Sequence, residues 1–194
     1  QLVRLNALPY SYPRFKVLDF GCGSGFLVSY LAHVLHWDTW GFDPYASTSY
    51  SQHKIFRDWE SVKRNGPYRL VIASEVFEHF RNPFHELSQI REVLTEDLGF
   101  IYITTGLYKP GITNQSWKYL APQSGQHVAF YSINSLKVIQ NLLTARGLYQ
   151  VGADYEWLFV FGSKRHAWLQ KSNLQIASGL LRISTAAGWL HKIE

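Results

Sequence analysis

Two short stretches of this chain carry side chains able to exchange protons near neutral pH. Glu75-Val76-Phe77-Glu78-His79 holds two carboxylates and an imidazole, and Gly125-Gln126-His127-Val128-Ala129-Phe130-Tyr131 holds an imidazole and a phenol. Histidine titrates closest to physiological pH, so His79 and His127 are candidate general bases, with Glu78 beside them. A third stretch, VLDFGCGSGFLVSYLA from Val17 to Ala32, is built for binding. Glycines at 21, 23 and 25 permit positive φ and close approach of a ligand to backbone, as in the turns that carry nucleotide-type ligands between a strand and a helix. Their spacing is not that of the usual dinucleotide fingerprint, and no Gly-Lys-Ser/Thr phosphate loop follows. Asp19, at the strand end, would repel a pyrophosphate and attract an ammonium group, which points to a cationic ligand. Asp43, in GFDPY, closes the next strand, where a carboxylate can accept both hydroxyls of a ribose.

These residues need elements to position them, and the periodicity supplies an alternation of short apolar strands with longer helical patterns, the α/β signature. It predicts strands near Lys16–Phe20, Thr39–Asp43, Lys54–Arg57, Leu70–Ala73 and Phe100–Thr104, with helices near Phe26–Leu35, Ala46–Gln52 and Phe84–Leu94. An irregular stretch, Gly106–Gly125, precedes a helix near Asn134–Ala145 that Gly147 stops, and an antiparallel pair follows at Leu148–Tyr155 and Leu158–Ser163. In the tail, Leu174, Ala177, Leu180, Leu181, Ile183 and Leu190 form roughly a helical stripe, suited to packing on the domain or pairing with a second copy as a homodimer.

At 194 residues and 46% hydrophobic content the chain reads as one folded domain. No apolar run approaches the ~20 residues of a membrane span, and no secretory pattern opens the sequence, so the expected location is cytoplasmic. The single cysteine, Cys22, excludes an intramolecular disulfide framework and a cysteine-rich zinc site. The net charge is +5, but the basic residues are scattered and form no nucleic-acid track.

Taken in order, the motifs resemble the class I S-adenosylmethionine-dependent methyltransferases. VLDFGCGSG is similar to their first motif, Asp43 to their ribose-binding acid, Tyr68–Phe80 (YRLVIASEVFEHF) to their fourth-strand motif, and EVLTEDLGFIYITT to the helix, turn and fifth strand that follow. The likeness runs from about Phe15 to Phe161. The segment Trp117–Leu136 further resembles a branch of small bacterial methyltransferases associated with sugar or surface-polysaccharide pathways. Two positions depart from the family pattern: Arg69 stands where an acid is common, and Glu96-Asp97-Leu98-Gly99 replaces a glycine-rich turn.

The resemblance implies a doubly wound, Rossmann-like seven-stranded mixed sheet with an antiparallel C-terminal hairpin and a C-terminal helix. The core would occupy about 15–163, an acceptor-covering insertion 106–132, and a helical tail 166–192. It implies S-adenosylmethionine as cofactor and S-adenosylhomocysteine as product. Asp19, Gly21, Gly23 and Gly25, with Cys22 between them, would line the methionine part, Asp43 the ribose, and Pro44 the adenine. Asp58 would meet the adenine amino group beside a wall formed by Trp59, while Ser74, Glu75 and Val76 would border the methyl.

Because the sulfonium is already electrophilic, the protein must align an acceptor and, for a hydroxyl, remove its proton. His79, His127 and Glu78 are the candidates for that step, and Tyr108, Trp117, Tyr119 and Tyr131 for the acceptor wall, since aromatic faces suit sugars and planar rings. The expected acceptor is a small molecule or sugar, methylated on oxygen or nitrogen. No metal is assigned, although Glu75, Glu78, His79 and His127 resemble the set with which one RNA-terminal methyltransferase family holds a divalent ion, a donor mixture that is chemically sound. A metal-assisted RNA 2'-O-methyltransferase and a non-catalytic cofactor-binding partner subunit are the alternatives. A nucleotide-dependent oxidoreductase is disfavoured by Asp19 and the glycine spacing.

Overall fold

The computed structural model describes residues 16–46, 50, 54–111, 113, 116–151, 155–162 and 190–192. Its strands are β1 (Lys16–Phe20), β2 (Asp38–Phe42), β3 (Ile55–Phe56), β4 (Leu70–Ser74), β5 (Phe100–Thr104), β6 (Gly147–Val151), β7 (Glu156–Val160) and β8 (Leu190–Lys192). The helices are α1 (Phe26–His33), α2 (Trp59–Asn65), α3 (Pro83–Glu92) and α4 (Ile133–Leu142). One sheet runs β3-β2-β1-β4-β5-β7-β6-β8, parallel from β3 to β5, with β7 antiparallel to both β5 and β6. Seven of the strands form the expected mixed sheet. The eighth, β8, extends it by pairing antiparallel with β6.

The central strands are apolar throughout because both faces of the sheet are covered. Leu18, Val71, Ala73, Ile101 and Ile103 point to one face and pack with Val62 of α2, Leu87 and Ile90 of α3, and Leu136 and Ile139 of α4. Their strand neighbours Val17, Leu70 and Ile72 point the other way, against Leu31 of α1. Each such buried aliphatic side chain contributes about 1.5–3 kcal/mol relative to exposure. Side-chain caps start three of the helices: Asp58 for α2, Asn82 with Pro83 behind it for α3, and Ser132 with Ser135 in a capping box for α4.

Several expectations shift. Helix α2 has no counterpart in the sequence reading, because only Val62 of its seven residues is buried and no apolar stripe marks it. The helix expected over Ala46–Gln52 lies outside the described residues except at Ala46 and Tyr50, neither of which is helical. The helical tail expected over 166–192 lies outside them except at 190–192, which are strand β8 and correct that part of the expectation. No helix among the described residues is long and apolar enough to cross a membrane.

The order places β1 beside β4 while the chain leaves β1 toward β2, so the sheet reverses direction between β1 and β4. Ligands of open α/β sheets bind at such a switch point, outside the carboxyl ends of the strands. The loops at those ends are Gly21–Gly25 after β1, Asp43–Ala46 after β2, Glu75–His79 after β4 and Thr105 onward after β5.

Candidate active site

Gly21, Gly23 and Gly25 all adopt positive φ, at 76°, 53° and 79°. At Gly21 the need is also steric, because a Cβ there would stand 2.6 Å from Cγ2 of Val76, so the loops after β1 and β4 touch across the switch point. Cys22 is buried, and a Cβ on Gly41 would meet its Sγ at 2.6 Å, so the thiol serves as a spacer between loop and β2. Burial pushes that thiol up to about 12, away from thiolate chemistry.

Asp43 ties the two loops together: Oδ2 accepts from the Gly23 amide at 2.9 Å and Oδ1 from the Tyr45 amide at 2.7 Å. Each oxygen keeps a lone pair for a further donor. Asp19 lies buried beneath, and its removal from water, followed by the charge of Asp43, pushes its carboxyl up to about 7. Helix α1 begins at Gly25 with neither a side-chain cap nor an acidic first turn, leaving its first amides available at this edge. Pro44 and Tyr45 are exposed at the rim.

Asp58 is the N-terminal cap of α2. Its two oxygens accept from the amide and hydroxyl of Ser61 at 2.8 and 2.9 Å, as the cap of α2, and these bonds hold its carboxyl below the usual range. Trp59, the first residue of α2, packs edge-on against Phe42 and Phe20, with ring centroids 5.2 and 6.0 Å away. Ser74 and Glu75 converge on Thr104: the Thr104 hydroxyl donates to Glu75 Oε1 at 2.8 Å and receives the Glu75 amide at 3.0 Å, with Ser74 Oγ also at 3.0 Å. Glu75 itself is held at φ 53°, an uncommon conformation for a residue with a side chain.

The two proton-exchanging stretches meet. The Val128 and Ala129 amides donate to the Glu78 carbonyl at 2.8 and 3.0 Å, and the Tyr131 hydroxyl donates to the Phe77 carbonyl at 3.0 Å. His79 Nδ1 stands 3.0 Å from the Gln126 carbonyl. These bonds bring His127 Nε2 to 4.0 Å from Glu78 Oε1, and the rings of His79 and His127 to 5.0 Å in an edge-to-face pair. Glu78 is fully buried, and neither carboxylate oxygen meets a donor at hydrogen-bonding geometry among the described residues. Burial raises its carboxyl above the usual range, and the neighbouring Tyr119 hydroxyl opposes that rise in part. Glu75 is drawn away from this cluster by Thr104.

Beside the cluster stands an aromatic wall. Tyr119 lies 4.7 Å from the His127 ring and 5.2 Å from Trp117, and Trp117 lies 5.7 Å from Phe130. Tyr119 presses on Gly106, where a Cβ would meet its ring at 2.7 Å. Tyr131 belongs to the core and not to the wall, since it is 5% exposed and its hydroxyl is bonded to backbone. Tyr108 sits partly exposed at the start of the insertion, its amide bonded to the Tyr131 carbonyl at 2.7 Å. Phe130, Thr104 and Thr105, whose hydroxyl lies 3.2 Å from that of Tyr119, are additions that sequence reasoning missed. The alternation in His127-Val128-Ala129-Phe130-Tyr131 was the available signal for Phe130, whereas the threonines read as ordinary strand residues.

Residues 3–151 match the family model described as "Methyltransferase domain". No curated protein matches the chain in sequence. Among solved structures, the chain is similar to a SAM-dependent methyltransferase from Aquifex aeolicus, with 16% identity over 75% of this chain and 80% of that one and a TM-score of 0.51. It is similar to another from Archaeoglobus fulgidus, with 15% identity, 82% and 91% coverage and a TM-score of 0.54. The plantazolicin methyltransferase BpumL, in complex with SAH, covers 95% of this chain and 78% of its own at 20% identity, with a TM-score of 0.55.

Proposed function

The chain belongs to the methyltransferase-domain family, and from that premise we propose that it uses S-adenosylmethionine to methylate an oxygen or nitrogen of a small-molecule or sugar acceptor. The observation that supports this reading is the convergence of His127, His79 and Glu78 beside the Trp117, Tyr119 and Phe130 wall, at the carboxyl edge of β4 and β5.

In this reading the loop of Asp19, Gly21, Cys22, Gly23 and Gly25 receives the methionine part of the cofactor, with Asp19 facing its ammonium. Asp43 receives the ribose hydroxyls on the lone pairs left by the Gly23 and Tyr45 amides. Pro44 and Trp59 border the adenine, and Asp58 reaches its amino group on the lone pairs that the Ser61 bonds leave. Ser74, Glu75 and Val76 border the methyl. The acceptor lies on the aromatic wall with its reacting atom toward His127, and a histidine or Glu78 takes the proton as the methyl arrives.

The test is a labelled-methyl screen of the purified chain against sugars, aromatic small molecules, lipids, nucleotides and RNA, alongside calorimetric titration with S-adenosylhomocysteine. Label in a sugar or small molecule supports the reading. Label in RNA alone transfers the assignment to a nucleic-acid enzyme, and cofactor binding without any transfer assigns a partner subunit.

A further inference from the structure

Glu78, His79 and His127 each offer one ligand atom to a cluster in which all three atoms lie within 4.8 Å of one another. The histidines are already set as ligands. His127 Nδ1 is 2.5 Å from the Tyr119 carbonyl and His79 Nδ1 is 3.0 Å from the Gln126 carbonyl. A carbonyl only accepts, so each Nδ1 carries a hydrogen, and in the neutral ring each Nε2 carries the lone pair. Backbone carbonyls that fix the tautomer in this way are the usual outer partners of metal-bound imidazoles. The third member is only partly accounted for within the fold. Glu78 is fully buried, the Tyr119 hydroxyl lies near it but outside hydrogen-bonding geometry, and His127 Nε2, at 4.0 Å, is too far for a hydrogen bond. A buried carboxylate in that state is costly, and a shared cation removes the cost.

We propose that Glu78, His79 and His127 form a divalent transition-metal site of the two-histidine, one-carboxylate kind, open on its remaining positions beside the aromatic wall. Ligands sharing an ion at about 2.0–2.2 Å stand roughly 3.4 Å apart in tetrahedral geometry, so the cluster must contract by up to about 1.4 Å, within the reach of side-chain rotation. Two imidazoles with one carboxylate suit zinc and its first-row neighbours, and three protein ligands with an open position are the pattern of a site that engages substrate. The proposal rests on the placement of the acceptor beside this cluster and narrows it: with these three side chains engaged as ligands, the cation takes over the role given above to a side-chain base, and it favours an oxygen acceptor, whose proton it makes easier to remove.

The test uses the chain without a histidine tag, stripped by chelator and titrated with zinc, manganese and cobalt(II) chlorides by calorimetry, with cobalt also followed by visible absorption. The site requires one ion per chain and a cobalt ligand-field band. Both Glu78→Gln and the surface change His79→Ala weaken binding by more than about tenfold, the loss that even an outer-shell change causes. His85→Ala, on an exposed turn of α3, leaves it unchanged. Absence of binding, or binding that survives both cluster variants, overturns the proposal. Titration of the same samples with S-adenosylhomocysteine separates the two readings: cofactor binding without the ion removes only the metal site, and the ion without cofactor removes only the methyl-transfer reading.

Discussion

His127 faces Glu78 with one nitrogen, Nε2 at 4.0 Å from Oε1, while its other nitrogen is anchored 2.5 Å from the carbonyl of Tyr119. One residue therefore links the loop after β4, the short turn at Lys118–Leu120 and the aromatic wall. Replacement of His127 or His79 by alanine is expected to lower turnover by about 10²–10⁴ while S-adenosylhomocysteine affinity stays within about twofold, since the proposed role of the histidines is on the acceptor and not on the cofactor. Full turnover in both variants would remove them from the chemistry.

Asp43→Ala loses two amide bonds to a charged acceptor and the proposed ribose contacts. At roughly 1.5–3 kcal/mol for such bonds, cofactor affinity is expected to fall about ten- to a hundredfold. Calorimetry checks this, and an unchanged affinity contradicts the ribose assignment.

Asp19 contributes a pH dependence. Its carboxyl titrates at about 7 in the fold against 3.8 ordinarily, because burial and then Asp43 disfavour its charge. Between those values the folded chain holds a proton that the unfolded chain has released. Stability therefore declines as pH rises from about 4 to about 7, by on the order of 4 kcal/mol, and then levels off. The proposed contact with the cofactor ammonium favours the ionised form, so affinity is expected to rise over the same window. Melting curves and cofactor titrations across that range, repeated with Asp19→Asn, should show both slopes flattened in the variant.

Gly106→Ala places a methyl 2.7–2.9 Å from three ring atoms of Tyr119 and must displace that ring. Acceptor kcat/KM is expected to fall by up to about a hundredfold through misplacement of the wall, with cofactor affinity preserved. A parallel loss of both would show that Gly106 supports the whole carboxyl edge instead.

Tyr131→Phe removes the hydroxyl that donates to the Phe77 carbonyl in the core. It is expected to destabilise the chain by about 1 kcal/mol in chemical denaturation and to leave the acceptor KM unchanged. A raised KM at constant stability would return Tyr131 to the acceptor wall.

The α/β class, five parallel strands and the glycine turn were legible because they rest on local rules. Strands buried on both faces read as apolar runs, and only glycine tolerates the backbone at position 21 with Val76 against it. Asp43 was legible for the same reason, as an acid at a strand end. Helix α2 and strand β8 were not, since one buries a single side chain and the other depends on an edge supplied by β6, distant in sequence. Only the tertiary structure decided which of the proton-exchanging residues meet. Glu75 and Glu78 are equivalent in sequence, yet Thr104, 29 residues on in the neighbouring strand, draws Glu75 away, while the amides of Val128 and Ala129 fasten the turn of Glu78 to the segment of His127. Likewise Tyr119 faces the cluster and Tyr131 the core, because hydrogen bonds between loops far apart in the chain orient them, and no local spacing encodes those partners.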